Sequence, residues 1–144
     1  MEVLISPLGT SPGLLYSAVS HVQPQRLIVI TSELAAQRLP EILSRAGFTG
    51  TWMAICVQDP FTCFQEVEEV WRQIVLSLPP REDGRFTVNI TGGTTALQYV
   101  VQKVAVRLKE KGYAVREMAL VDRRSREEQE KEPYVVGECY FLEA

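Results

Sequence analysis

The sequence has few of the residues that hold metal ions or build disulfide frameworks. It contains one histidine and three cysteines, Cys56, Cys63 and Cys139, whose spacing matches no zinc pattern. An odd number of cysteines in this setting is typical of reduced thiols, so we expect a cytoplasmic protein without a metal or a cofactor. His21 lies about two or three helical turns beyond Ser11, a candidate nucleophile, which argues against a Ser-His-Asp mechanism.

Long apolar runs and an excess of basic residues are also missing. No run approaches the roughly 20 residues that span a bilayer, and the N-terminus lacks a basic stretch followed by an apolar one. We therefore expect a soluble protein that does not bind membranes. The 15 Lys and Arg residues against 18 Asp and Glu give a net charge of −3, which argues against binding to duplex nucleic acid. A small anion held by backbone amides stays compatible with this charge.

The sequence does have alternating strand and helix patterns. Its apolar runs, typical of strands covered on both faces, lie at residues 3–5, 26–31, 51–57, 85–90, 113–121 and 134–142. Amphipathic helical patterns separate the first five runs, and Pro40 predicts a kink or a break in the second helix. Repeated βαβ units predict one Rossmann-like domain over residues 1–144, a three-layer α/β/α sandwich with a mostly parallel sheet and an antiparallel last strand. The charged residues 122–133 are predicted to form a mobile loop.

Two loops rich in small residues follow the first and fourth predicted strands. They are residues 6–13, SPLGTSPG, and residues 89–95, NITGGTT. Both are predicted at the carboxyl edge of the sheet, and each opens a helix, where free N–H groups and the helix dipole favour a phosphate. The second loop is neither a Walker A loop nor G-x-G-x-x-G. Each loop could instead be a tight turn, with Ser11 serving only as an N-cap.

Together the two loops resemble those of CRISPR-associated Rossmann fold, or CARF, domains. The resemblance implies a homodimer that binds a cyclic oligoadenylate, most often cyclic tetra-adenylate, across its two-fold axis. The 144 residues leave no room for a separate effector module, so the sequence is similar to standalone ring nucleases. Such enzymes cleave the ring without a metal by attack of a ribose 2′-hydroxyl, leave 2′,3′-cyclic phosphate ends, and switch off type III CRISPR signalling.

Two other functions stay open. One is a non-catalytic sensor or sink for cyclic oligoadenylate that acts through a partner effector. The other is a Rossmann enzyme that acts on a mononucleotide.

The resemblance implies that Ser11, Thr10 and Thr95 are catalytic. The expected ligand-binding residues lie in the two loops and at nearby strand ends: Leu8, Gly9, Pro12, Gly13, Thr31, Ser32, Gln58, Asp59, Asn89, Thr91, Gly92, Gly93, Thr94, Gln98, Arg123 and Arg124. Some ring nucleases of this family place a lysine where Thr95 stands here. The cation is therefore expected from Arg123, Arg124 or Arg126, or is absent.

Overall fold

The computed structural model describes residues 1–142, in which six strands and six α-helices alternate for most of the chain. The strands are β1 (Glu2–Leu8), β2 (Arg26–Thr31), β3 (Thr51–Cys56), β4 (Arg85–Asn89), β5 (Ala114–Val121) and β6 (Glu138–Leu142). The helices are α1 (Pro12–Val22), α2 (Glu33–Ala36), α3 (Leu39–Arg45), α4 (Val67–Val75), α5 (Thr95–Glu110) and α6 (Arg126–Lys131), and a 3₁₀ turn spans Cys63–Glu66. No helix in this part of the chain is long and apolar enough to cross a bilayer.

The strands form one sheet in the order β3-β2-β1-β4-β5-β6. The first five strands are parallel, and β6 is antiparallel to β5. Buried residues of β1 alternate between two apolar clusters: Leu4 packs with α1 and α3, whereas Val3 and Ile5 pack with α4 and α5. The sheet is thus covered on both faces, which confirms the predicted three-layer Rossmann-like sandwich.

The strand order reverses between β1 and β4, where the two loops begin. On the β2 side, pairing of β1 runs to Leu8 opposite Thr31, but on the β4 side it ends at Ile5 opposite Val88. Pro7 has no N–H to donate, so it suits the strand end where pairing on one side has stopped. Beyond this point the Asn89 side-chain amide donates to the Ser6 hydroxyl at 3.0 Å and links the two strand ends.

The mobile loop predicted for residues 122–133 is wrong in part, because α6 occupies six of them. Ser125 and Glu128 form a capping box that satisfies the first N–H groups of this helix. Ion pairs one turn apart, Arg126 with Glu130 at 3.7 Å and Lys131 with Glu127 at 3.4 Å, then support a helix that has no buried residue. The predicted break near Pro40 is confirmed, since α2 ends at Ala36 and α3 begins at Leu39.

Replacement of Asn89 should destabilise the fold. Its side chain is fully buried and makes three hydrogen bonds. Asn89→Leu therefore removes the bond that the Ser6 hydroxyl accepts and both bonds to the Thr91 backbone, while Ser6 keeps only its bond to the Pro7 carbonyl. We expect the free energy of unfolding, measured by urea denaturation, to fall by about 2–4 kcal/mol. The control Gln102→Leu, at an exposed position of α5, should change it by less than about 0.5 kcal/mol. Equal effects of the two substitutions would contradict this role of Asn89.

Candidate functional site

The two small-residue loops touch each other through their backbones. A methyl group on Gly9 would lie 2.6 Å from the Cα of Gly93, so only glycine allows the loops to approach this closely. Gly92 and Gly93 have φ angles of 108° and 72°, which side chains other than glycine rarely adopt. The structure therefore brings the two predicted loops together at the point where the strand order reverses.

Asn89 and Thr91 fix the start of the second loop. Asn89 Oδ1 accepts from the Thr91 backbone N–H at 3.0 Å, and Asn89 Nδ2 donates to the Thr91 carbonyl at 3.1 Å. The Thr91 hydroxyl accepts from the Leu120 backbone N–H at 2.9 Å, which ties this loop to β5. Since both side chains are engaged within the protein, their observed contacts shape the loop.

Thr94 and Gln98 hold the rest of the second loop. Thr94 is the N-cap of α5: its hydroxyl accepts from the Leu97 N–H at 3.1 Å and donates to the Pro60 carbonyl. The Gln98 side-chain amide donates to the carbonyl of Gly92 at 3.2 Å.

Among residues 1–142, the backbone N–H groups of Gly92, Gly93 and Thr95 have no protein acceptor. Two of these belong to a glycine turn and one to the first residue of α5. The loop thus offers anion-binding donors at a helix N-terminus.

Ser11 has the position of an N-cap but not its hydrogen bond. It precedes α1 with an extended backbone, φ −100° and ψ 102°, and its side chain accepts no N–H from the helix. Both Ser11 and its neighbour Thr10 are exposed. The Thr10 carbonyl accepts from the Arg38 guanidinium at 3.2 Å. Within residues 1–142 the Ser11 hydroxyl makes no hydrogen bond, so its interpretation as a plain cap loses support.

A cavity of about 320 Å³ opens beside the first loop. One wall is the start of α1 with Arg38, and the other is the chain from the end of β5 to the start of β6. The lining residues that bear on ligand chemistry are Thr10, Ser11, Arg38, Asp122, Arg124, Arg126, Gln129 and Glu130. Sequence reasoning missed Arg38 and Gln129, because nothing in their local sequence distinguishes them from ordinary surface residues.

Tight contacts hold the two walls of the cavity together. A methyl group on Gly13 would strike the Pro133 carbonyl, so glycine is required where this segment crosses α1. One turn further along the helix, the Ser17 hydroxyl accepts from the Gly137 backbone N–H at 2.9 Å. Gly13 and the buried Pro12, both predicted to bind ligand, lie on the α1 wall.

The ligand-binding residues predicted after β2 lie at the same sheet edge, but their hydroxyls already make hydrogen bonds within the protein. Thr31 is fully buried and donates its hydroxyl to the Leu8 carbonyl at 2.7 Å, which fixes the end of β1. The Ser32 hydroxyl caps α2 by accepting from the Ala35 N–H at 3.2 Å.

The residues predicted after β3 are exposed but lie outside the cavity. Gln58 donates its backbone N–H to Glu66, and the Asp59 carboxylate accepts from the Phe61 N–H, each at 2.8 Å. The residue of this loop that contacts the glycine turn is Pro60, through Thr94.

The arginines predicted to supply a cation already have carboxylate partners. Arg123 pairs with Glu138, and Arg124 pairs with Asp122 at 2.8 Å. Hydrogen bonds from Arg124 hold the pKa of Asp122 below its usual value, and those from Arg123 do the same for the pKa of Glu138. Of these two arginines, Arg124 lines the cavity and Arg123 does not. Within residues 1–142, no group of three or more histidine, cysteine, aspartate or glutamate side chains is placed to hold a metal ion.

Gly9→Ala should separate the two loops. Gly9 does not have a positive φ, so the cost comes from the clash with Gly93 rather than from backbone strain. We expect a loss of about 1–3 kcal/mol in the free energy of unfolding, with amide NMR shifts that move at Gly92 and Gly93. Gly47→Ala is the control. Its φ of 67° makes the substitution cost about 1 kcal/mol, but no atom lies within 4 Å of the added methyl group. The amide shifts of Gly92 and Gly93 should therefore not move. Unchanged loop shifts in Gly9→Ala would refute the contact.

Acid should weaken the cavity wall that Asp122 holds. Because the folded-state pKa of Asp122 is lowered, its pairing with Arg124 stabilises the fold above the unfolded pKa of about 3.9 and is lost as the pH falls through the folded value. The stability difference between the parent and Asp122→Asn should be largest above about pH 5 and shrink below pH 4. Denaturation at a series of pH values measures it. An equal stability difference at pH 7 and at pH 3 would contradict this role of Asp122.

No protein-family model matches this chain, and no curated protein matches its sequence. Solved structures do resemble it. Enterococcus italicus Csm6 bound to cyclic hexa-2′-fluoro-hexa-dAMP matches with a TM-score of 0.70 and 16% identity, over 100% of this chain and 42% of that protein. Can2 from Sulfobacillus thermosulfidooxidans in complex with cyclic tetra-adenylate matches with a TM-score of 0.64 and 14% identity, over 84% and 32% of the two chains.

A type III CRISPR defence DNA nuclease activated by cyclic oligoadenylate matches with a TM-score of 0.62 and 18% identity, over 82% of this chain and 18% of that nuclease. The chain thus spans less than half the length of each of these three proteins. At identities this low, the structural matches establish a shared fold and nothing further. The chain has the Rossmann-like fold of these three proteins.

Proposed function

We propose that this chain forms a homodimer that binds a cyclic oligoadenylate, with cyclic tetra-adenylate as the first candidate, and cleaves it. The observation that carries the proposal is the backbone contact between Gly9 and Gly93, which joins two loops with free donors at the reversal of strand order. Ligands of open α/β sheets bind at this place. Two of the structural neighbours contain a cyclic nucleotide ligand and a third is activated by one.

The loops suit the phosphates of such a ring. The N–H groups of Gly92, Gly93 and Thr95 and the positive end of the α5 dipole favour negative charge without adding to the net charge of the protein. A ring with two-fold symmetry matches a two-fold dimer, because each subunit then presents the same loops to one half of the ring.

In the proposed cleavage, the exposed Ser11 hydroxyl orients the reacting ribose or its phosphate. The ribose 2′-oxygen attacks the adjacent phosphorus and loses its proton, the bond from phosphorus to the 5′-oxygen breaks, and that oxygen gains a proton. The products are linear with 2′,3′-cyclic phosphate ends, and this would switch off type III CRISPR signalling. Thr10 and the N–H of Thr95 help to hold the charged phosphate in line. Slow turnover is expected, since among residues 1–142 no histidine lines the cavity beside Ser11.

A second candidate, binding without cleavage, is favoured by the charges of the site. Thr95 stands where some ring nucleases carry a lysine, and Arg123 and Arg124 are each paired with a carboxylate. A cleft with few free cations would hold the ring and act through a partner effector.

Incubation with cyclic tetra-adenylate and a chelator tests the proposal. We expect linear di-adenylate with a cyclic phosphate end, identified by chromatography and mass spectrometry, and one ring bound per dimer by calorimetry. Ser11→Ala should bind within about threefold of the parent but cleave at least about 100-fold more slowly, because the positioning hydroxyl is lost. Ser20→Ala, on the same helix, is the matched control and should behave like the parent.

Tight binding with an intact ring would favour the non-catalytic sensor. Cleavage by Ser11→Ala at the parental rate would refute the role of Ser11. A parent that binds neither cyclic tetra-adenylate nor a larger ring would refute both the ring nuclease and the non-catalytic sensor.

A further inference from the structure

The cavity beside Ser11 carries a positive charge that is not neutralised. It is lined by the three arginines Arg38, Arg124 and Arg126 and by the two carboxylates Asp122 and Glu130. Arg124 pairs with Asp122 at 2.8 Å, and Arg126 lies 3.7 Å from Glu130. These four charges cancel in pairs. The remaining charge on the lining belongs to Arg38, for which no carboxylate lies within ion-pair distance in the part of the chain that the structure describes.

Arg38 is held at the first loop by the geometry of the helix break. It lies between α2 and α3, where the proline at position 40 prevents the two helices from joining. Its carbonyl accepts from the Ile42 N–H at 3.1 Å, and one guanidinium nitrogen donates to the Thr10 carbonyl at 3.2 Å. A guanidinium has five N–H donors, so most of them stay available next to Ser11.

Resting on the function proposed above, we propose that Arg38 binds a bridging phosphate of the cyclic oligoadenylate at the Ser11 end of the cavity. The Thr10 carbonyl positions the guanidinium, and the remaining N–H groups contact two phosphate oxygens. Such bidentate, charge-assisted hydrogen bonds are the strong ones in phosphate recognition. Arg38 would thereby take the place of the cation that the glycine-loop helix lacks at Thr95.

Three substitutions of Arg38 separate its charge from its contact with Thr10. Arg38→Ala removes both, Arg38→Gln keeps a donor for the Thr10 carbonyl without the charge, and Arg38→Lys keeps a charge without the planar fork. We expect the first two to weaken binding of cyclic tetra-adenylate by about 10- to 100-fold in calorimetry, and Arg38→Lys to weaken it less. The slope of log K against log salt should fall by about one in Arg38→Ala.

Arg72→Ala is the matched control, since it removes one positive charge from the exposed face of α4. It should leave both the affinity and the salt slope at the parental values. A parent that binds the ring while Arg38→Ala binds it equally well would overturn the assignment of Arg38 and leave the proposed function standing. Parental affinity in Arg38→Gln alone would show that the bond to Thr10 matters rather than the charge, which also overturns it.

A parent that fails to bind the ring would refute the proposed function, and a second probe then decides the role of Arg38. Inorganic pyrophosphate is titrated while the Nε–H signal of Arg38 is followed by NMR. Saturable movement of this signal, absent for that of Arg72, would support a phosphate site at Arg38. A signal that does not move would overturn it.

Discussion

The contact between the backbones of Gly9 and Gly93 is the constraint on which the site depends. Parallel strands end at one edge of a sheet, but neighbouring loops usually stay apart because their side chains occupy the space between them. Here neither residue has a side chain, so the loops after β1 and β4 meet directly. Asn89 supports this contact, since its buried side-chain amide links Ser6 near the end of β1 to Thr91 just after β4. The contact thereby holds the glycine turn, with its free N–H groups, against the loop that leads into Ser11.

The second constraint is the attachment of the chain after β5 to α1. Gly13 lets the backbone at Pro133 lie directly on the helix, and Ser17 accepts a hydrogen bond from Gly137. This attachment turns a flat sheet edge into a cavity, because the segment that carries α6 forms its outer wall. The wall is rich in charged side chains, but most of them form ion pairs with one another. The pairing of Arg124 with Asp122 is one case.

The distribution of charge explains how an acidic protein can suit an anionic ligand. A net charge of −3 repels phosphates at long range, but the field inside a small site depends on groups within a few ångströms. At this sheet edge these groups are the N–H groups of Gly92, Gly93 and Thr95 at the start of α5 and the guanidinium of Arg38 at the first loop. The carboxylates of the same region are held by arginines. Local donors therefore decide what the edge can bind.

Much of the fold followed from the sequence, because strand and helix periodicity is a local property. The parallel sheet, the antiparallel last strand, the break near Pro40 and the two glycine loops were all predicted correctly. The helix α6 was missed because it buries no residue, and a pattern of burial cannot reveal it. The neutralisation of Arg124 and the burial of Thr31 also could not be predicted, since each depends on partners that approach only after the chain folds. For the same reason the sequence determined which loops are rich in donors, whereas the tertiary structure decided that the two loops touch and that Arg38, distant in sequence, contacts the first of them.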